Sequence, residues 1–236
     1  MDIITSLSKG TINFINKHNL IDKTFTQEDY TYVENIIKKY RPKKEPIKIT
    51  SEHVKQLAEN GAIIFYGELF KYLIVLSIAW CMNILIPTFF IMNVFSSLRA
   101  LAGGVHMSTF NKCFAVMIGF FLSLGYMVNQ IHTIHLMIVV LIFTVCFGWS
   151  IIIALKYAPQ ERLDKSDKDC NNGNIMKYRT TVFIIVSFVI SMILILFTQK
   201  YIIGVSIYVG VLLEMITITP AGTRLFQWID GKKVIA

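Results

Sequence analysis

Between residues 62 and 218 the chain is a succession of long apolar runs, and this pattern limits its fold more than any other feature. The runs are 62–80, 84–98, 110–128, 136–155, 181–197 and 201–218. A bilayer core of about 30 Å takes roughly 20 helical residues, with about 17 as the lower bound. Four of the runs meet this comfortably and 181–197 is borderline. Run 84–98 is short and contains Pro87, which leaves a tilted, a broken or a re-entrant helix open. The connection before it, Cys81-Met82-Asn83, is very tight. Composition agrees with a membrane protein: 54% of residues are hydrophobic and 16% charged, against about a quarter charged in an ordinary soluble domain. Sparse glycine, proline and cysteine exclude a collagen-like chain, a disordered chain and a disulfide scaffold. The expected class is all-α: a polytopic integral membrane protein of about six transmembrane helices.

The first sixty residues are polar and basic. They lack the unbroken apolar centre of about 7–15 residues that a secretory signal needs. Ile4, Leu7, Phe14 and Ile15 recur at roughly helical spacing, with Lys9 and Lys17 elsewhere. This predicts a short helix on the membrane surface. A second helix is expected from Thr26, where Thr26-x-x-Asp29 resembles a capping box. Val33, Ile36, Ile37 and Tyr40 form its apolar stripe, and Pro42 and Pro46 end the pattern. These two amphipathic helices either pack on the protein's own cytosolic face or contact membrane lipid. The domain reading is therefore 1–60, basic amphipathic helices, and 61–236, a transmembrane domain.

The net charge is +8, and its placement explains it. With the N-terminus inside, segments 1–61, 99–109, 156–180 and 219–236, together with Lys112 at the inner edge of the third run, hold all the lysines and arginines but two. The exceptions are Lys200 outside and Lys71 within the first run. Positive residues near spans stay on the cytoplasmic side, so the protein is expected in the cell membrane with both termini cytosolic. No nucleic acid partner is needed to account for the charge.

None of the four cysteines forms a Cys-x-x-Cys pair, so neither a zinc ribbon nor a thioredoxin-like site is indicated. His132-x-x-His135 has helical spacing but no carboxylate nearby, and no His-Glu-x-x-His occurs. No metal and no cofactor is expected. The informative segment runs from Arg99 through Gly103, Gly104 and His106 to Cys113, between two apolar runs on the cytosolic side. On one continuous helix His106 and Cys113 would share a face yet stand about 10.5 Å apart along the axis. Proton transfer needs about 3 Å. A catalytic pair therefore requires the backbone to fold back between them. Ser108 or Thr109 can cap a new helix starting near Phe110, placing Cys113 in its first turn, where the helix dipole and Lys112 favour a thiolate. Gly103 and Gly104 allow φ > 0 and close approach of a bound peptide. The same residues also fit a plain helix end carrying an unremarkable Cys and His. Two more polar features lie inside runs. Glu68 and Lys71 are three apart and can pair. Glu214 has no local partner and is either functional, or caps a backbone or pairs with a basic residue of another helix.

The pattern Arg99…Gly103-Gly104-x-His106-x6-Cys113 resembles the signature of the accessory gene regulator B family, membrane cysteine endopeptidases of Gram-positive quorum sensing. Tyr157-Ala158-Pro159 and Gly210-x3-Glu214-x5-Pro220 extend the likeness over most of the chain. The loop after Tyr157-Ala158-Pro159 departs from it, since it lacks the proline-containing basic stretch of many relatives. The resemblance implies a precursor signalling peptide as substrate, His106 as base and Cys113 as nucleophile. It also implies an acyl-enzyme thioester that the peptide's own cysteine or serine resolves into a thiolactone or lactone. Arg99 is then the candidate for orienting the substrate tail or the acyl carbonyl. A homodimer is the assembly expected from base rates. Two other classes stay open: a small transporter or channel using Glu68, Lys71 and Glu214, and a non-catalytic scaffold whose basic N-terminus binds lipid or a partner.

Overall fold

A computed structural model describes residues 9–11, 13, 51–104, 109–131, 136–159, 170–197 and 201–231. About 91% of the structure is helical, and no strand occurs among the described residues. Apart from the helical residues 9–11 and 13, the two amphipathic helices expected before residue 51 lie outside the described residues, as do His132 and His135. Seven helices follow in the described part: α1 (Ser51–Cys81), α2 (Leu85–Ala102), α3 (Phe110–Asn129), α4 (Leu136–Tyr157), α5 (Cys170–Leu196), α6 (Tyr201–Thr217) and α7 (Pro220–Asp230). Five of them are long and apolar enough to cross a membrane, or six if the bent pair α6–α7 is one span. The chain is thus a multi-pass membrane protein.

Two compact units succeed one another along the chain, Met1–Ile74 and Val75–Ala236. The first holds most of α1, which runs unbroken across residues 60 and 61. There Lys71, a buried lysine, donates to Glu68 one turn back. Pairing at this spacing is what makes a lysine tolerable within an apolar span.

Local chemistry decides where the helices stop and start. α1 closes in a Schellman turn: Asn83 N–H donates to Trp80 O (3.0 Å) and Ile84 N–H to Ala79 O (2.9 Å). Asn83 takes φ 57°, a left-handed conformation that asparagine tolerates better than most residues. The reversal thus needs almost no loop. Pro87 does not break the run that follows. It occupies the first turn of α2, where backbone N–H groups have no intrahelical partner, and α2 continues for 18 residues. Run 84–98 is therefore one helix, extended to Ala102.

The second unit is built around α6, whose buried residues include Tyr208, Val211, Glu214 and Met215. It packs most extensively against α2, then against α5, and also touches α4, α3 and α7. Gly210 lets α6 approach α2, since a Cβ there would stand 2.8 Å from Ile91 O and 3.0 Å from Val94 Cβ. Small residues at such crossings allow close backbone packing where no hydrophobic force drives helices together. Leu98, Ala102, Ile184, Val211 and Met215 form one buried cluster with Ile153, Ala154 and Ala158. Large apolar side chains also face outward, among them Leu141, Val145 and Ile152 on α4. A helix apolar on every side is suited to lipid.

Candidate active site

The last turn of α2 and the first turn of α3 meet α6 and α7 around a partly open pocket. Arg99 comes from α2 and Cys113 from α3, and both line it. The rest of the lining is apolar apart from Thr217 of α6: Phe95 of α2, Phe120 and Phe121 of α3, Leu213 of α6 and Phe226 of α7 are among it.

Cys113 owes its place to Thr109. Thr109 has extended backbone angles and its side chain accepts from Lys112 N–H (3.4 Å), so it is the N-cap of α3. Cys113, half-buried with a free thiol, is the fourth residue of the helix. Its own N–H donates to Thr109 O (3.2 Å). The amides of Lys112 and Cys113 are thus both engaged by Thr109, although amides around the cysteine are the natural expectation for oxyanion donors. The Lys112 ammonium is also committed: it donates to Asp230 O at the end of α7 (2.7 Å) and lies 3.6 Å from Asp230 Oδ1. It is therefore a strut between α3 and α7 rather than a free cation beside the thiol.

On the α2 side, Gly103 ends the helix with φ 80° while its N–H donates to Arg99 O (3.0 Å). Gly104 follows with φ 143°, so two successive residues occupy conformations open essentially to glycine. The close approach at Gly104 is to the protein's own polar groups: a Cβ there would lie 3.4 Å from Glu214 Oε1 and 3.5 Å from Arg99 Cζ. Glu214 is fully buried. Thr217 Oγ1 donates to its Oε2 (3.0 Å), and Oε1 has no hydrogen-bond partner among the described residues. Arg99 lies on the same side of Gly104 as this carboxylate, and its guanidinium is placed over the Phe95 ring at 5.5 Å. Glu214 thus has a local partner in Thr217, against the sequence expectation, and a basic residue of another helix, Arg99, stands near it.

The structure therefore brings Arg99, Gly104 and Glu214 together and sets Arg99 and Cys113 on one pocket. Glu68 and Lys71 lie apart in sequence, on α1. His106 falls outside the described residues, with Val105, Met107 and Ser108. Sequence reasoning missed the phenylalanine walls and the Lys112–Asp230 contact. Residues 220–230 read as a cytosolic tail, yet Pro220 at their head and Gly231 behind them are ordinary helix-start and helix-stop residues.

A family model described as accessory gene regulator B matches residues 30–218. No curated protein and no solved structure matches the chain.

Proposed function

Since the chain belongs to the accessory gene regulator B family, and so acts in the processing of autoinducing peptide precursors, we propose that it does so as a membrane cysteine endopeptidase. Cys113 is the nucleophile and His106 its base. The observation that carries this reading is the pocket itself: a free thiol in the first turn of a capped helix faces the same apolar space as a guanidinium from another helix.

His106 takes the thiol proton, and the sulfur attacks the carbonyl carbon of the scissile peptide bond. Arg99 offers directed donors to the developing oxyanion, a role that falls to a side chain because Thr109 occupies the nearest amides. The C–N bond breaks, the tail departs as an amine carrying the proton from His106, and an acyl thioester remains on Cys113. A thiol or hydroxyl of the same peptide then attacks the thioester carbonyl. Cys113 leaves, regains a proton, and a cyclic thiolactone or lactone is released. Covalent catalysis divides one hard step into two easier ones, and no external energy source enters. Phenylalanine walls keep water from the thioester, so that ring closure outruns hydrolysis. The substrate lies on the inner leaflet if both termini are cytosolic, as the charge distribution supports.

The test is mass spectrometry of a candidate precursor peptide incubated with the purified protein. Wild type should release the C-terminal tail, while Cys113→Ala and His106→Ala should release none. Tail release by Cys113→Ala at the wild-type rate would show that the nucleophile is another group.

A further inference from the structure

The pocket beside Cys113 is closed on one side by a helix beyond the family match, which ends at residue 218. α7 departs from α6 at 78° and lays Phe226 against Phe120, ring centroids 6.0 Å apart and planes tilted by 36°. Its start is fixed by the Thr219 cap, whose hydroxyl accepts from Gly222 N–H at 3.1 Å. Its far end is held by Lys112, the residue directly before the nucleophile, through the Asp230 carbonyl and carboxylate. Asp230 is itself buried, while Lys112 reaches it from the exposed side. A lysine at the C-terminal end of a helix is also favourably placed for the helix dipole.

We propose that Phe226, held over the pocket by the Lys112–Asp230 strut, sets the size of the apolar side chain that the acylated residue of the precursor places there. The inference rests on the reading of Cys113 as nucleophile and deepens it. Arg99 supplies the polar contact for the carbonyl, and the remaining surface, chiefly Phe95, Phe120, Phe121 and Phe226 with Thr217 as its one hydroxyl, favours an apolar side chain over a charged or amide one. A side chain attached one bond from the acyl carbon must enter this space when sulfur and carbonyl carbon meet. Its fit then bears on the transition state, where discrimination by size in an apolar pocket reaches about tenfold or more.

The experiment uses the full-length protein in detergent and short peptidyl chloromethyl ketones ending in Ala, Leu, Phe or Trp. The Cys113 sulfur displaces chloride from the methylene carbon, and mass spectrometry follows the labelled peptide. Wild type should be alkylated at Cys113 about tenfold faster by the Leu and Phe reagents than by the Ala reagent. Phe226→Ala should move the preference toward Trp and Phe226→Trp toward Ala. Lys112→Gln should blur the ranking, and Lys112→Arg should retain it. Rate ratios do not depend on the fraction of folded protein, and opposite shifts cannot come from a general loss of structure. Unchanged ratios in both Phe226 variants, with Cys113 still labelled selectively, overturn the inference and leave the endopeptidase reading standing. Labelling of Cys113 no faster than Cys81 or Cys146 in wild type overturns both.

Discussion

At the scale of single residues, Thr109 and Gly104 set the surroundings of Cys113 and of Arg99. Thr109 fixes the cysteine in the first turn of α3 and occupies the two nearest amides. On the proposed mechanism, transition-state charge is therefore left to Arg99, which gives a sharp expectation. Arg99→Lys keeps the charge but loses the planar fork, and should lower kcat for precursor cleavage by about 100-fold with a smaller change in KM. Glu214→Gln should follow in the same direction but less steeply, because it only loosens the guanidinium. Steady-state cleavage rates check both. Cys113 and its cap were legible in the sequence because capping is local: the hydroxyl and the amide it serves are three residues apart. The proximity of Glu214 to Arg99 was not, since it joins two helices distant in sequence, and only the general need of a buried carboxylate for a partner pointed to it.

At the scale of elements, the apolar runs located the five helices long enough to span among the described residues, because lipid offers the backbone no other hydrogen-bond partners, while run 201–218 became α6, which reaches that length only with α7. What they could not supply was the consequence of position within a run. Pro87 looks like a breaker by identity, yet in the first turn it costs no hydrogen bond. Gly210 looks like a weak spot in a helix, yet it is where α6 meets α2. Gly210→Ala should lower stability by about 1–3 kcal/mol, as overpacking does in a filled core. Gly210→Val should cost more, and thermal unfolding in detergent measures the difference. α7 was missed for another reason. Its residues are too polar on average for a span, and its meaning lies in Phe226 and Asp230, whose partners are on α3.

At the scale of the whole molecule, the charge distribution predicts an orientation that native cysteines can report. Cys81, exposed at the end of α1, is expected on the outer side. A membrane-impermeant maleimide should label it in intact cells, whereas Cys113 should be labelled only after permeabilisation. The reverse pattern would invert the topology and remove the pocket from the reducing cytosol. The position of α6 has a further consequence, for biogenesis. The helix that α2, α3, α4 and α5 surround is synthesised after all four of them. Until it emerges from the ribosome, those segments lie in the bilayer without the surface they will finally share. A nascent chain arrested before residue 201 should therefore be inserted yet unassembled, and readily taken by membrane proteases. Cys113, the proposed nucleophile, is made halfway through translation and gains its pocket only when the final helices arrive, so a stalled chain would hold the thiol without its surroundings.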